Sequence, residues 1–144
     1  MRIVVSLVLF AAVVGCAKSS RGATAAASAS AAAMRNPASA SDGATVYLTD
    51  CSSCHQADGH GVSGAFPPLA GNAVVTGNPV AVIAIVKNGL EGRVTVNSAA
   101  YSGIMPSWKG QISDDQIAAV ISYIRSAWNN HAGGVSIDQV QSIK

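Results

Sequence analysis

The sequence has 144 residues, which is enough for one domain of ordinary size and too short for two once its N-terminal segment is set aside. Hydrophobic residues make up 49% of the chain, but much of this share is alanine in the first 41 positions, so it overstates the core available to a folded domain. From position 42 onward there are 5 basic and 7 acidic side chains, a net charge of −2, and this balance argues against a nucleic-acid partner.

The first 15 residues have the pattern of an export signal. After Arg2, an uninterrupted run of apolar or small residues covers positions 3–15, which suits a secretory signal and is too short to span a bilayer as a helix. The end of this run, Val13-Val14-Gly15-Cys16, resembles a bacterial lipoprotein signal. That resemblance implies cleavage before Cys16, acylation of its thiol and anchoring on the periplasmic side of the cell envelope. The alternative is an ordinary signal peptide that happens to contain a cysteine.

Residues 17–41 are mostly alanine and serine, and they cannot bury enough apolar surface to offset the entropy lost on ordering. We therefore interpret positions 16–41 as the acylated cysteine and a flexible linker. Positions 42–130 are expected to form the folded domain, and positions 131–144 a C-terminal extension. Because alanine favours helix, a nascent helix around positions 23–33 is the alternative for the linker.

The motif Cys51-Ser52-Ser53-Cys54-His55 is typical of covalent haem attachment. On a helical turn, two thiols three residues apart lie on one face and can add to the two vinyl groups along one haem edge. The imidazole that follows then lies under the iron as a ligand. A redox-active cysteine pair and half of a zinc site are weaker interpretations, because the first needs a preceding strand and the second needs further ligands. A single motif predicts a single haem and leaves Cys16 as an odd thiol, which acylation would explain.

Gly43 and Tyr47 precede Cys51 at steps of four residues. This order of glycine, aromatic residue and haem motif resembles the first helix of class I c-type cytochromes. The resemblance implies a mostly α-helical class I cytochrome c fold, with three or more helices and long loops wrapping one covalent haem c. It also implies that Gly43 and Tyr47 meet the last helix, with the glycine allowing close approach of the two backbones.

Two further helices are indicated after the haem motif. Pro79 at a first helical position and Gly89 just past the end frame one of them. Ser113 and Gln116 form a capping box for the last helix, in which apolar side chains recur at helical spacing: Ile117, Val120, Ile121, Ile124 and Trp128. Within it, Tyr123 and Ile124 match the aromatic-aliphatic pair that the family places against the first helix. No segment alternates as a strand would, so positions 56–78 and 91–112 are expected to be loops.

Met105 is the predicted second axial ligand of the iron, opposite His55. It is the one methionine after the haem motif, and positions 103–108 resemble the family's methionine-proline ligand loop followed by an aromatic residue. A core methionine that fills a gap is the alternative. His60 lies too close to His55 along the chain to reach the opposite side of the iron, and His131 lies past the last helix.

Positions 66–72, Phe-Pro-Pro-Leu-Ala-Gly-Asn, resemble the family's loop after the haem motif. The resemblance implies that the Pro67 carbonyl accepts a hydrogen bond from the axial imidazole, with Pro68 as the alternative, and that Leu69 contacts the haem. Three more residues are expected at the haem edge: Tyr101 and Trp108 as hydrogen-bond donors to haem propionates, and Arg93 as an ion-pair partner of one propionate. The alternative roles of these three residues are packing and solubility.

These features predict a one-electron carrier rather than an enzyme in its own right. A thioether ligand and a buried haem both favour the ferrous state, so a high reduction potential is expected. The expected partners are redox proteins: a dehydrogenase or respiratory complex as donor and a terminal oxidase or reductase as acceptor, with the membrane contacted through the lipid anchor. No small-molecule substrate is expected. The alternatives are a fixed cytochrome subunit of a dehydrogenase or reductase complex, and a haem sensor or gas-binding protein in which Met105 is easily displaced.

Overall fold

A computed structural model describes residues 40–144 of the chain. The predicted signal peptide, Cys16 and the linker lie outside the described residues, except for the last two linker positions, which belong to the first helix. Within residues 40–144, no helix is long and apolar enough to cross a membrane.

The first helical stretch carries the haem motif. Helix α1 (Ala40–Val46) is followed without a gap by a π-helical turn (Tyr47–Cys51) and by helix α2 (Ser52–His55). The stretch ends at Gln56, whose φ of 62° lies in the left-handed region. A π-helical turn accommodates one residue more than an α-helical turn, and such turns are frequent at functional sites.

Two helices follow in the middle of the chain. Helix α3 (Ala73–Thr76) and helix α4 (Pro79–Asn88) each begin with an asparagine cap, Asn72 and Asn78, whose side-chain oxygen accepts a hydrogen bond from the backbone N–H two residues on. Gly89 ends α4 with a φ of 79°. The helix predicted from Pro79 is therefore confirmed. Helix α3 was not predicted, because a single turn is too short to show periodicity.

A small antiparallel hairpin interrupts the second long loop. Strands β1 (Val94–Val96) and β2 (Ala99–Tyr101) pair with Val96 opposite Ala99, so only Asn97 and Ser98 form the turn, with φ values of 50° and 66°. The expectation that positions 91–112 form loop alone is wrong here. Three-residue strands are too short to show alternation, and this turn lacks the glycine that usually marks a hairpin with both central φ values positive.

The last predicted helix is present as α5 (Asp114–Ser126). Its capping box is confirmed: the Ser113 hydroxyl accepts from the Gln116 N–H at 3.2 Å, and the Gln116 side-chain oxygen accepts from the Ser113 N–H at 3.0 Å. Most of the predicted apolar stripe is buried and forms the centre of the core: Ile117, Val120, Ile121 and Ile124. Burial of this stripe is what fixes the helix in place, since propensity alone seldom stabilises 13 residues.

Helices α1 and α5 cross at Gly43. A Cβ atom on Gly43 would lie 2.2 Å from the Ala119 carbonyl oxygen, so the two backbones touch where a side chain would hold them apart. One turn further along, the Tyr47 ring packs against the Tyr123 and Trp128 rings at centroid distances of 5.6 and 4.9 Å. The predicted meeting of Gly43 and Tyr47 with the last helix is confirmed.

A further helix, α6 (Ile137–Ser142), forms within the predicted C-terminal extension. Ser136 and Gln139 cap it with a second reciprocal capping box, a signal that is present in the sequence. Val140 is fully buried in the core, and the Lys87 ammonium donates to the carbonyls of Val140 and Ile143 at 2.8 and 2.6 Å. The extension therefore packs against the domain.

Candidate haem site

The two cysteines of the motif lie on the first helical stretch, three residues apart. Both are free thiols and half-buried. Burial, with smaller contributions from Asp50 and Cys54, raises the pKa of the Cys51 thiol to about 12. This sulfur is therefore a protonated thiol at neutral pH, which is its less nucleophilic form.

His55 is held in one orientation by the loop that follows. Its side chain is buried, and Nδ1 lies 2.9 Å from the Pro67 carbonyl oxygen. Because a carbonyl only accepts, Nδ1 carries the proton and donates, which leaves Nε2 free to bind a metal ion. Burial lowers the pKa of His55, while the hydrogen bond to Pro67 acts in the opposite direction. The imidazole is therefore neutral near pH 7, the form that ligates iron.

The structure distinguishes Pro67 from Pro68 as partner of the imidazole. The Pro68 carbonyl accepts a hydrogen bond from the Asn72 side chain at 2.8 Å and is turned to that group. Asn72 is itself buried and also caps α3, so the loop after the motif is anchored at both ends. Asn72 was not predicted as a site residue, although it closes the segment that carries the family resemblance.

A cavity of about 580 Å³ lies beside His55, within the range of small-molecule and cofactor sites. Cys51, Cys54, His55 and Met105 all line it. The remaining wall is largely aliphatic and comes from several elements: Val75, Val82, Val86, Leu90, Val120 and Ile124. Such a wall suits a large, flat, apolar group that enters with one polar edge.

Met105 is fixed by its backbone at the cavity wall. Its N–H donates to the Leu90 carbonyl and its carbonyl accepts from the Leu90 N–H, each at 2.9 Å. Gly89 allows this approach, because a Cβ there would lie 2.6 Å from the Met105 carbonyl oxygen. The paired backbones of Leu90 and Met105 thus hold the methionine at the cavity wall. The sequence spacing alone did not show that it lies there.

The other predicted site residues divide into two groups. Pro67, Leu69 and Trp108 line the cavity. Tyr101 and Arg93 do not: Tyr101 is buried at the end of β2, and Arg93 is exposed just before β1. The hairpin supplies instead wall residues that were not predicted, Val94, Thr95 and Val96. His60 and His131 are exposed and lie outside the wall.

An apolar cavity with two thiols, a hydrogen-bonded imidazole and a thioether along its wall defines a protein that binds haem covalently. The residues present fit haem c in size, in polarity and in ligand chemistry. Among residues 40–144, no cluster of three or more His, Cys, Asp or Glu side chains offers an alternative site for a bare metal ion.

The chain belongs to the cytochrome c family, whose family model matches residues 40–128. It is 40% identical over 93 residues to cytochrome c-552 of Thermus thermophilus, a match that covers 62% of this chain and 70% of that protein. It is 41% identical over 105 residues to the cytochrome c subunit of a quinone alcohol dehydrogenase from Gluconobacter oxydans, covering 71% of this chain and 22% of that subunit. Cytochrome c6 of Leptolyngbya boryana is 34% identical over 87 residues, 60% of this chain and 91% of its own length.

Family membership confirms several predictions at once. The protein is a class I c-type cytochrome with a mostly helical fold, and its cofactor is covalent haem c at the Cys51–Cys54 motif. Cytochromes c carry electrons, and several of the similar proteins are cytochrome subunits of dehydrogenases. The acylation of Cys16 lies outside the described residues and stays a prediction.

Proposed function

We propose that this protein is a high-potential electron carrier tethered to the membrane of a bacterial cell envelope. It would take single electrons from a dehydrogenase or respiratory complex and pass them to a terminal oxidase or reductase. When bound, haem c supplies a one-electron ferric/ferrous couple. The residues of the chain attach that group, ligate it, keep water away from it and hold its surroundings still.

Cys51 and Cys54 would attach the haem through thioether bonds, and His55 Nε2 and the Met105 sulfur would ligate its iron. The observation that carries this proposal is that both ligands line one cavity and each is fixed by backbone hydrogen bonds, His55 through Pro67 and Met105 through Leu90. Residues whose backbone or ring is held in this way would change little when the haem gains or loses an electron, and a small change favours fast electron exchange.

The aliphatic wall supports a high reduction potential. An interior of low dielectric disfavours the additional positive charge of the oxidised state, and a thioether ligand favours the reduced state. Trp108, which lines the cavity, is the proposed indole donor to a haem propionate. Tyr101 and Arg93 do not line the cavity, and their contacts with the propionates stay a prediction.

A fixed cytochrome subunit is the second candidate, and a specific observation favours it. Matches to three kinds of dehydrogenase cytochrome subunit, for alcohol, fructose and gluconate, cover 20–22% of those subunits, so a domain of this kind is used inside larger chains. Extraction in mild detergent followed by affinity purification separates the two candidates. A mobile carrier is recovered alone, whereas a fixed subunit is recovered with a dehydrogenase or reductase at a constant ratio.

The ligand assignment is tested by spectroelectrochemistry of the purified holoprotein. Wild type is expected to show a weak charge-transfer absorption at the red end of the oxidised spectrum and a high midpoint potential. Met105→Ala should lose the absorption, fall in potential and bind carbon monoxide when reduced. Val80→Ala is the matched control, because Val80 is 51% exposed and lies outside the cavity wall. Rapid binding of carbon monoxide by the reduced wild type at neutral pH would contradict stable ligation and favour a gas sensor.

The tether is tested on the full chain. Cys16→Ser should move the cytochrome from the membrane fraction to the soluble periplasmic fraction without changing its visible spectrum. The first helix begins at Ala40, so an acylated Cys16 followed by residues 17–39 would give the domain a reach of about 24–29 Å, by the scaling of flexible chains. Equal partition of wild type and Cys16→Ser between the fractions would refute the lipid anchor while leaving the carrier function intact.

A further inference from the structure

Arg125, in the last turn of α5, is a buried cation. Only 5% of the residue is exposed. Its Nε donates to the Gly133 carbonyl at 2.6 Å, and its Nη1 donates to the carbonyls of Val75 and Gly77 at 2.6 and 3.0 Å. All three acceptors are uncharged backbone groups.

Within the described part of the chain, Arg125 makes no ion pair with a carboxylate. Among residues 42–144, the ion pairs are His60 with Asp58 and Lys87 with Asp114, and none involves Arg125. Among residues 42–144, the side chains of Lys87 and Arg125 are buried cations, and no Asp or Glu is buried. Burying a charge is costly, and carbonyl dipoles compensate it without cancelling its field.

This cation lies directly behind the cavity wall. Val75, whose carbonyl binds Nη1, lines the cavity, and so does Ile124, the neighbour of Arg125 along α5. Val75 and Ile124 are both buried, so no bulk water separates the guanidinium from the cofactor space on this side. In such a medium a charge acts over a longer distance than at the surface, and dissolved salt screens it weakly.

We propose that Arg125 is a fixed internal charge that raises the reduction potential of the haem site. The proposal rests on the electron-transfer function proposed above. When the site gives one electron to a partner, its charge increases by one and no proton needs to move, since arginine stays protonated in both states. The guanidinium repels that added charge and so favours the reduced state.

A purely structural role for Arg125 makes a different prediction. In a purely structural role, Arg125 would act through its three hydrogen bonds. Any replacement that disturbs these bonds would then change the midpoint potential by a similar amount. In an electrostatic role, the positive charge of Arg125 would set the midpoint potential. Arg125→Lys keeps the sign and loses the forked geometry, whereas Arg125→Gln keeps a donor and loses the charge. Lys109→Gln removes an exposed cation and is the matched control.

Midpoint potentials are measured against an electrode with small mediators, over a range of ionic strength, with the red-end absorption recorded in each variant. Arg125→Gln is expected to have a lower midpoint than wild type at every ionic strength, and Arg125→Lys a midpoint close to wild type. Lys109→Gln should show a smaller shift that disappears with added salt. A midpoint for Arg125→Gln equal to wild type, or an equal fall in Arg125→Lys, overturns the proposal.

A second pair of variants keeps Arg125 in place, in case Arg125→Gln yields no holoprotein. Thr76 lies between Val75 and Gly77, the two residues whose carbonyls bind Nη1. Thr76→Glu would add a carboxylate to the turn whose carbonyls bind the guanidinium, and Thr76→Gln is its neutral match. A lower midpoint in Thr76→Glu than in Thr76→Gln supports the proposal, and equal midpoints overturn it. Because no redox partner enters these measurements, failure of electron exchange with a partner would instead count against the carrier function.

Discussion

At the crossing of α1 and α5, Gly43 lies inside a helix, where alanine would ordinarily be more stable by about 1 kcal/mol. The structure predicts the opposite sign for Gly43→Ala. The added Cβ would lie 2.2 Å from the Ala119 carbonyl oxygen and 2.8 Å from both the Ala119 carbonyl carbon and the Tyr123 Cβ, whereas ordinary contact begins near 3.4 Å. The helices would have to separate by roughly 1 Å, which forfeits a quarter to a half of each dispersion contact along the interface.

The expected magnitude follows from these opposing terms. Overpacking of a core costs about 1–3 kcal/mol, and the upper end applies here because two of the three obstructing atoms are backbone and cannot rotate away. Subtracting the helix-propensity gain of about 1 kcal/mol leaves a net loss of about 2 kcal/mol. For a domain of about 100 residues, this loss lowers the melting temperature by about 8–16 °C.

The assay is thermal unfolding of the purified holoprotein followed by far-ultraviolet circular dichroism, with urea unfolding as a second measurement. Gly133→Ala is the control, because a Cβ on Gly133 has no atom within 4 Å and the residue does not need a positive φ. Its stability is expected to stay within about 0.5 kcal/mol of wild type. If Gly43→Ala proved as stable as Gly133→Ala, the close crossing of α1 and α5 would be refuted. Adding Ala119→Gly to Gly43→Ala should not restore stability, since the obstructing atoms of residue 119 belong to its backbone.

Three further predictions concern other supports of the fold, each measured by urea unfolding of the holoprotein. Lys87→Met should lower the free energy of unfolding by about 2 kcal/mol, because the buried Val140 carbonyl loses its donor. Lys109→Met, at an exposed position, should leave the stability unchanged. Equal stability of the two variants would contradict the anchoring of α6. Ser98→Gly should gain about 0.5 kcal/mol by relieving a positive φ in the hairpin turn, and a loss of stability there would argue against the turn. Ser113→Ala should lower the free energy of unfolding by about 1 kcal/mol because it removes the helix cap, and Ser113→Asp should retain most of the stability of wild type. A Ser113→Ala variant as stable as wild type would show that the capping box of α5 contributes nothing.

Much of the haem site could be predicted because its signals are local. Cys51, Cys54 and His55 lie within five consecutive residues of one helical stretch, and the spacing that lets two thiols and an imidazole meet one haem is a property of that short segment. The Ser113 cap and the stripe of α5 are likewise set by neighbours three or four residues away. The same local reasoning would have found α6 from Ser136 and Gln139, which form the same kind of capping box.

Other features depend on contacts between distant segments, which no local pattern records. The family resemblance favoured Pro67 and left Pro68 as the alternative. The structure decides between them through Asn72, which binds the Pro68 carbonyl, while the Pro67 carbonyl binds His55. Val94 and Val96 were not expected at the cavity wall, and they line it because two three-residue strands pair into a short hairpin.

The sequence by itself determined that this is a covalent haem protein with helices at both ends of its domain, because attachment motif, caps and apolar periodicity are all short-range properties of the chain. Only the tertiary structure decided what surrounds the haem. Arg125 looks from the sequence like a solvated side chain in the last turn of a helix, yet it is buried by carbonyls 48 and 50 positions away. Its burial depends on how α3 packs beside α5, and that packing exists only once the chain has closed around the cavity.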